Sequence, residues 1–313
     1  MERDDRGLMP ISESVTDAAH YPADSVYARV EEAAQKLYVD ALKVFPPDVK
    51  DALARARASE TSANGIDVLD VMLETIDVAE RDQNLVCQDT GTVVYWVEAG
   101  QDSPLELARI AAAVRRGTER ATLEHPLRSN TVHPLTREHT RTNTGRFLPA
   151  MHYEFVEGRD VTLHCLPKGS GCENMSFLKM LVPADGVRGV KRFILDCLVE
   201  AAGKPCPPGI CGVGLGGTAD LCATLAKRAL LRPIGRHNED PVVAALEDEL
   251  FALANELGIG PMGLGGATTL LALHIEHAHT HITQNPVAVC MQCWAARRAS
   301  AKVAPDGAIV YGF

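Results

Sequence analysis

Helical periodicity through the first third of the chain constrains the fold more than any other pattern in it. Val30, Ala33, Ala34, Leu37, Ala41 and Leu42 mark one apolar face over residues 26–45. Pro46-Pro47 ends that run and opens another over 48–59, because proline suits a helix's first turn but not its interior. Ser62 is placed to cap a third helix carrying Ile66, Leu69, Val71, Met72, Ile76 and Val78. A further helix reads over 105–123, and 86–97 is the one interruption. The middle of the chain differs. Residues 151–156 and 161–166 alternate around Glu157-Gly158-Arg159-Asp160, the pattern of a β-hairpin. Helical spacing returns over 187–202, 218–231 and 241–257, whereas 270–277, 286–290 and 309–311 read as strands.

Sequential helices with scattered short strands, and no regular βα alternation, predict an α+β fold. We expect a predominantly helical single domain with short, mainly antiparallel strands and its chemistry on loops. Residues 1–25 hold no sustained period and read as a flexible N-terminal arm, leaving 26–313 as the domain. No internal repeat, low-complexity stretch or Ser/Gly-rich linker divides it.

Charge and hydropathy exclude several partners. Lys and Arg number 31 against 41 Asp and Glu, a net charge of −10, which argues against nucleic acid because phosphate binding needs a concentrated positive field. Nothing approaches eighteen uninterrupted apolar residues, so no membrane span is expected. The start, Met1-Glu2-Arg3-Asp4-Asp5-Arg6, lacks the apolar run of a signal peptide. A cytoplasmic, reducing setting follows. There the nine cysteines are buried thiols, metal ligands or reactive groups more often than disulfides.

Four loops gather polar residues and glycine between apolar runs: Cys87-Gln88-Asp89-Thr90-Gly91, Pro167 to Asn174, Pro205-Cys206-Pro207-Pro208-Gly209, and the segment 286–298 around Cys293. Cys87 stands beside an amide and a carboxylate, Cys206 between two prolines, and Cys293 just before Trp294 and Arg297-Arg298. Nearby positive charge favours thiolate, the form that binds metal. Spacing alone does not decide for a metal, since compact ferredoxin spacings and a second matching C-x-x-C pair are absent.

Other constellations are weaker. Gly212 to Gly217 satisfies G-x-G-x-x-G, yet the strand before it would have to fit within 210–213, which argues against a dinucleotide fingerprint. A glycine turn at a helix N-terminus is the milder reading. His274, His277, His279 and His281 form a histidine-dense stretch that fits neither H-E-x-x-H nor H-x-x-E-H. Arg128, in a polar segment reaching Gly145, could clamp a carboxylate bidentately or be an ordinary surface arginine, and Lys168 shares that ambiguity.

Together the four loops resemble those of the iron–sulfur hydro-lyases, the family containing class I fumarate hydratase and L(+)-tartrate dehydratase. The resemblance runs from about Val30 to about Lys302. It implies a [4Fe–4S] cluster on Cys87, Cys206 and Cys293, with one iron left open as a Lewis acid. It places Gln88 and Asp89 beside the substrate, gives Arg128 a substrate carboxylate, and gives Gly169 and Gly171 backbone contacts. His281, twelve residues before Cys293, matches an active-site histidine that orients Asp89 or the leaving hydroxyl, so Asp89 and His281 are the catalytic candidates. Cys165, Cys172, Cys197, Cys211, Cys222 and Cys290 match no ligand position.

Single-chain members append a second domain bearing the general base, for which no chain remains after Phe313. The resemblance therefore implies an α subunit whose β partner completes the site for a small dicarboxylate, as an α2β2 hetero-oligomer. The loop 168–176 is closer to fumarase versions, favouring reversible hydration of fumarate to L-malate; dehydration of L(+)-tartrate to oxaloacetate is the alternative. From other classes come a non-catalytic scaffold with buried cysteines and a nucleotide-dependent oxidoreductase.

Overall fold

Proline and capping chemistry set the first helix boundaries. Pro46 and Pro47 separate α1 (Val26–Lys43) from α2 (Pro47–Ser59), which buries Val49, Ala52, Leu53 and Ala56. The next helix, α3 (Ala63–Asp82), begins where Ser62 Oγ accepts from the Gly65 N–H at 3.4 Å, and it stops at Gln83 in the left-handed region. The computed structural model describes residues 21–313, so most of the expected arm over 1–25 lies outside the described residues. Then follow β1 (Thr92–Gly100), α4 (Leu107–Glu124), β2 (Ala150–Val156), β3 (Val161–Lys168), the short α5 (Ser170–Glu173) and β4 (Ser176–Leu181). The remainder comprises α6 (Gly186–Ala201), β5 (Gly209–Gly216), α7 (Ala219–Arg228), α8 (Pro241–Glu256), β6 (Leu270–Ala278), β7 (Asn285–Gln292), β8 (Ala299–Val303) and β9 (Ile309–Gly312).

These elements form two compact units. One takes the described residues up to Val39, with 95–165 and 300–312; the other takes 40–94 and 166–299, with Phe313. Neither is continuous in sequence, and the boundaries fall inside α1, β1, β3 and β8. Composition therefore marks no linker between them, which is why the sequence reads as one domain.

The first unit is built on a five-stranded sheet in the order β2-β1-β3-β8-β9. Strand β1 lies between β2 and β3, so the hairpin expected for 151–166 does not form; its two strands flank a third. Helices α1 and α4 approach closely at Gly117, where a side chain would overlap the Glu31 carbonyl oxygen. The Glu31 carboxylate holds Arg116 and Arg120 at 3.0 Å each.

The second unit is built on a four-stranded sheet in the order β4-β7-β5-β6. Strands β5 and β6 are parallel, and β7 runs antiparallel to both β4 and β5. One face packs Val213, Ile275 and Val289 into a core with Ile194, Leu198, Leu250 and Ala254. The other face meets α7, and here the glycine motif acts. Gly212 and Gly214 lie within β5, and a Cβ on them would overlap the carbonyl oxygens of Ala226 and Cys222. The glycines serve helix–sheet packing rather than a phosphate turn. No helix among the described residues is long and apolar enough to cross a membrane.

Candidate functional site

The register of the four-stranded sheet gathers three loops at one of its ends. Ile210 pairs with Gln292 and Ser176 with Cys290. The loop before β5, the loop after β7 and the turn before β4 therefore meet there, carrying Cys206, Cys293 and the 169–174 loop. The Trp294 N–H donates to the Cys206 carbonyl at 3.1 Å, and the Ala296 N–H closes a turn on Cys293 at 3.0 Å. Gly209 makes the approach possible, because any side chain there would overlap the Gln292 carbonyl oxygen. Cys206 itself has φ +55°, a left-handed conformation that costs a non-glycine residue energy and persists only where its surroundings impose it.

The Cys87 loop joins through Asp89. Asp89 Oδ2 accepts from the Ser170 N–H at 2.7 Å and the Ser170 hydroxyl at 3.0 Å, while Oδ1 accepts from the Gly91 N–H at 2.9 Å. Arg297 donates to the Asp89 carbonyl. Gly91, at φ +76°, lies so close to Pro167 and Lys168 that a Cβ would stand 2.8 Å from the Pro167 carbonyl carbon. Gly169 leaves space for the Arg297 guanidinium, 2.9 Å from where its Cβ would be, and Gly171 lies against the Lys204 carbonyl. At Gly169 a side chain would have to displace the Arg297 guanidinium, and at Gly171 it would crowd the Lys204 carbonyl at 3.2 Å.

Cations and thiols are set against one another here. Lys168 is fully buried, donating to the Met291 carbonyl and lying 3.6 Å from Glu173. Glu173 also holds Lys227 at 2.5 Å. Arg297 is 5% exposed, and its Nε finds no hydrogen-bond partner. Cys293 is held below the ordinary thiol range, first by the Cys172 S–H, then against burial by Arg297, the Ala295 N–H and Lys168. Burial raises the Cys206 thiol, and so does the negative charge that Cys293 and Cys87 carry when ionised, placing those two thiols within its electrostatic reach. Burial opposes ionisation of Asp89, but the Ser170 and Gly91 N–H groups, the Ser170 hydroxyl and Arg297 outweigh it, holding the carboxyl below its usual range.

Of the residues singled out in sequence, Cys87, Asp89, Gly169, Gly171, Cys206 and Cys293 come together in this way, with Gln88 exposed on the same loop. Arg128 belongs to the unit built on the five-stranded sheet, where its carbonyl accepts from Asn143 at 3.1 Å. His281 sits on the exposed β6–β7 loop, its Nδ1 2.9 Å from Thr283 Oγ1. That loop follows the Gly216–Ala278 end of the sheet, opposite the end that carries Cys206 and Cys293.

Three contributors had no clear sequence signal as site residues. Cys172 matches no ligand position in the sequence, yet its S–H donates to the Pro205 carbonyl at 3.6 Å beside the Cys206 loop, and its thiol favours ionisation of Cys293. Arg297 and Arg298 read as one basic pair, but they separate: Arg298 is bound by both oxygens of Asp48 at 2.6 Å, while Arg297 turns toward Asp89. Lys168 proves to be a buried charge. In contrast, Cys165, Cys197, Cys211 and Cys222 are buried thiols raised by desolvation.

Among the described residues, no three His, Cys, Asp or Glu side chains converge on a point as ligands of one ion do. A [4Fe–4S] cluster makes a different demand, one thiolate to each of several irons. Three thiols on three fastened loops, with Lys168 and Arg297 buried beside them, fit that demand in donor chemistry and in charge.

Comparison with known proteins identifies the family. The family model described as Fumarate hydratase (Fumerase) matches residues 31–302. A provisionally named L(+)-tartrate dehydratase subunit alpha of Methanocaldococcus jannaschii is 43% identical over 281 residues, covering 89% of this chain and 99% of that one. The L(+)-tartrate dehydratase subunit alpha of Escherichia coli (strain UTI89 / UPEC) is 35% identical over 263 residues, covering 84% and 86%. Its counterpart in strain K12 is 34% identical over the same length.

Proposed function

The chain belongs to the fumarate hydratase (Fumerase) family of hydro-lyases, and from that premise we propose that it is the α subunit of a [4Fe–4S] hydro-lyase that hydrates fumarate reversibly to L-malate. The observation that carries this reading is the fastening of the Cys87, Cys206 and Cys293 loops around the buried Arg297.

Cys87, Cys206 and Cys293 would hold the cluster. When bound, such a cluster supplies an open iron that acts as a Lewis acid on a substrate hydroxyl and carboxylate. Lys168 and Arg297 offset negative charge that three thiolates and a dicarboxylate bring into a partly buried site. Asp89 is committed to Ser170 and Gly91, so its part is to hold the Cys87 loop against the glycine loop and to keep Gln88 at the open side. The exposed Ser170 and Gly171 at the start of α5 can present backbone to a substrate carboxylate. Arg128 would add a bidentate contact to a substrate carboxylate, whereas His281, at the opposite end of the sheet from Cys206 and Cys293, has no part in this reading.

The relatives are named as alpha subunits, which supports a β partner polypeptide; in the proposed enzyme that chain brings the general base and further cations, in an α2β2 assembly in the cytoplasm. Those names also support a second reading, dehydration of L(+)-tartrate to oxaloacetate. Anaerobic coexpression of both chains, followed by assays with fumarate, L-malate and L(+)-tartrate, separates the two. Turnover of L(+)-tartrate without turnover of fumarate would replace the first reading by the second, and turnover of none would reject both.

A further inference from the structure

Strand β6 is the outer strand of its sheet and pairs only with β5. Its far edge therefore presents backbone donors and acceptors that need partners. Side chains supply them at both ends. At the start, Asn255 Oδ1 accepts from the Thr269 and Leu270 N–H groups at 2.7 and 2.9 Å. Near the other end, Glu247 Oε1 accepts from the Ile275 N–H at 2.6 Å. Arg232 and Asn238 donate to the Ile275 carbonyl at 2.7 and 2.8 Å.

Between these two caps the edge is buried but faces a cavity, with Leu273 4% exposed. Backbone groups alternate in direction along a strand, so Leu273 aims its N–H and C=O to the same side as Ile275. No hydrogen bond to another described residue occupies them there. A cavity of about 500 Å³ lies against this window, walled by α2, α8, residues 234–237 and β6. Ala52 and Ala56 on α2 leave room for an occupant, and Phe251 on α8 supplies an apolar wall.

Two free guanidinium groups stand at the cavity against one exposed carboxylate, Asp248. Arg55 and Arg236 are exposed there, and neither has an ion-pair partner among the described residues. Of the two carboxylates on the same wall, Glu247 is committed and Asp248 is exposed beside His237. Glu247 is 2% exposed and serves Arg232, Asn238 and Ile275; Asp248 lies 3.5 Å from His237.

We propose that this cavity docks an extended acidic peptide of a partner polypeptide, laid as an added strand on Leu273 with a carboxylate at Arg55 and Arg236. An extended backbone offers the paired donor and acceptor that the Leu273 edge requires, which a simple organic acid lacks. Apolar walls take its side chains, and the unpaired guanidinium groups select its charge. No residue of the cysteine loops lines the cavity, so this is a second site, separate from the hydro-lyase chemistry.

Hydrogen exchange of the full-length chain tests it, with the peptide acetyl-Val-Thr-Val-Glu as probe. At a concentration ten times its Kd, the probe should slow exchange at Leu273 about tenfold. An analogue N-methylated at the third residue should protect far less, and so should the probe on the variant Arg55→Glu/Arg236→Glu. Both arginines are exposed, so the variant should keep the wild-type melting temperature. Unchanged exchange at millimolar probe would overturn the proposal. So would equal protection by the N-methylated peptide, by L-malate alone, or in the charge-reversed variant.

Discussion

The Trp294 backbone N–H donates to the Cys206 carbonyl across 3.1 Å, fastening the loop after β7 to the loop before β5 where their cysteines stand. Those residues are 294 and 206 in a chain whose third cysteine loop begins at 87, so the site is made by sheet register rather than by local sequence. Two further contacts complete the frame: Asp89 to the Ser170 N–H, and the Cys172 S–H to the Pro205 carbonyl.

The Asp89 carboxylate accepts three hydrogen bonds, and Asp89→Asn turns one acceptor into a donor facing the Ser170 N–H. Hydrogen bonds to charged groups contribute about 1.5–3 kcal/mol each. The variant should therefore lose about 2 kcal/mol of stability at pH 7 in urea denaturation. The folded-state pKa of Asp89 lies below its unfolded value, so this contribution is present above about pH 4 and fades as pH falls further. The gap between wild type and variant should narrow in acid. A gap independent of pH would contradict the ionised role.

Arg297 is the buried cation between the Cys87 loop and Cys293. Replacing it by Gln removes the charge and keeps a donor. Loss of about 1.4 kcal/mol of electrostatic support corresponds to a tenfold change in rate or equilibrium. We expect iron to leave Arg297→Gln in air about ten times faster than the wild type, with Arg297→Lys in between. Visible absorbance under air follows the loss. Equal rates for all three proteins would remove Arg297 from the site.

Burial, together with the positive charge of Arg232 and then Arg298 and His237, lowers His274 to about 3. The unfolded chain takes up this proton near pH 6.5 and the folded chain does not, so stability falls as pH drops from about 6.5 toward 3. The slope approaches about 1.4 kcal/mol per pH unit. His274→Gln can preserve a donor to the Ala229 carbonyl and should lack that slope. Urea midpoints at pH 7, 6 and 5 compare them, and parallel lines would refute the assignment.

Gly212 packs under α7, where a side chain would overlap the Ala226 carbonyl oxygen. Gly212→Ala should cost about 1–3 kcal/mol through overpacking, lowering the melting temperature by several degrees. A titration of the wild type with NAD(H) should show no binding, as expected for glycines spent on helix–sheet contact.

The long helices were legible because one apolar face each, with Pro46-Pro47 and Ser62 as boundaries, specifies them locally. Strand β5 was hidden. Its run Gly209 to Gly216 has low strand propensity, and tertiary packing against α7 overrides that local preference. The hairpin reading of 151–166 failed for a related reason: short strands do not reveal a third strand inserted between them. At the site, the glycine-bounded cysteine loops stood out in sequence. Cys172 and Arg297 did not, because a thiol next to a loop glycine and one arginine of a pair carry no local mark of what they face. His281 lies beyond the far end of a strand eight residues long, and twelve residues of sequence separation say nothing about that direction.

Iron and acid-labile sulfide measured on anaerobically purified chain bear most directly on the central claim. The wild type should hold stoichiometric amounts of both, and Cys87→Ser, Cys206→Ser and Cys293→Ser should each lose them, while Cys165→Ser, a buried bystander, should not. A colourless wild type, or full iron and sulfide in any of the three serine variants, would contradict the three-cysteine site.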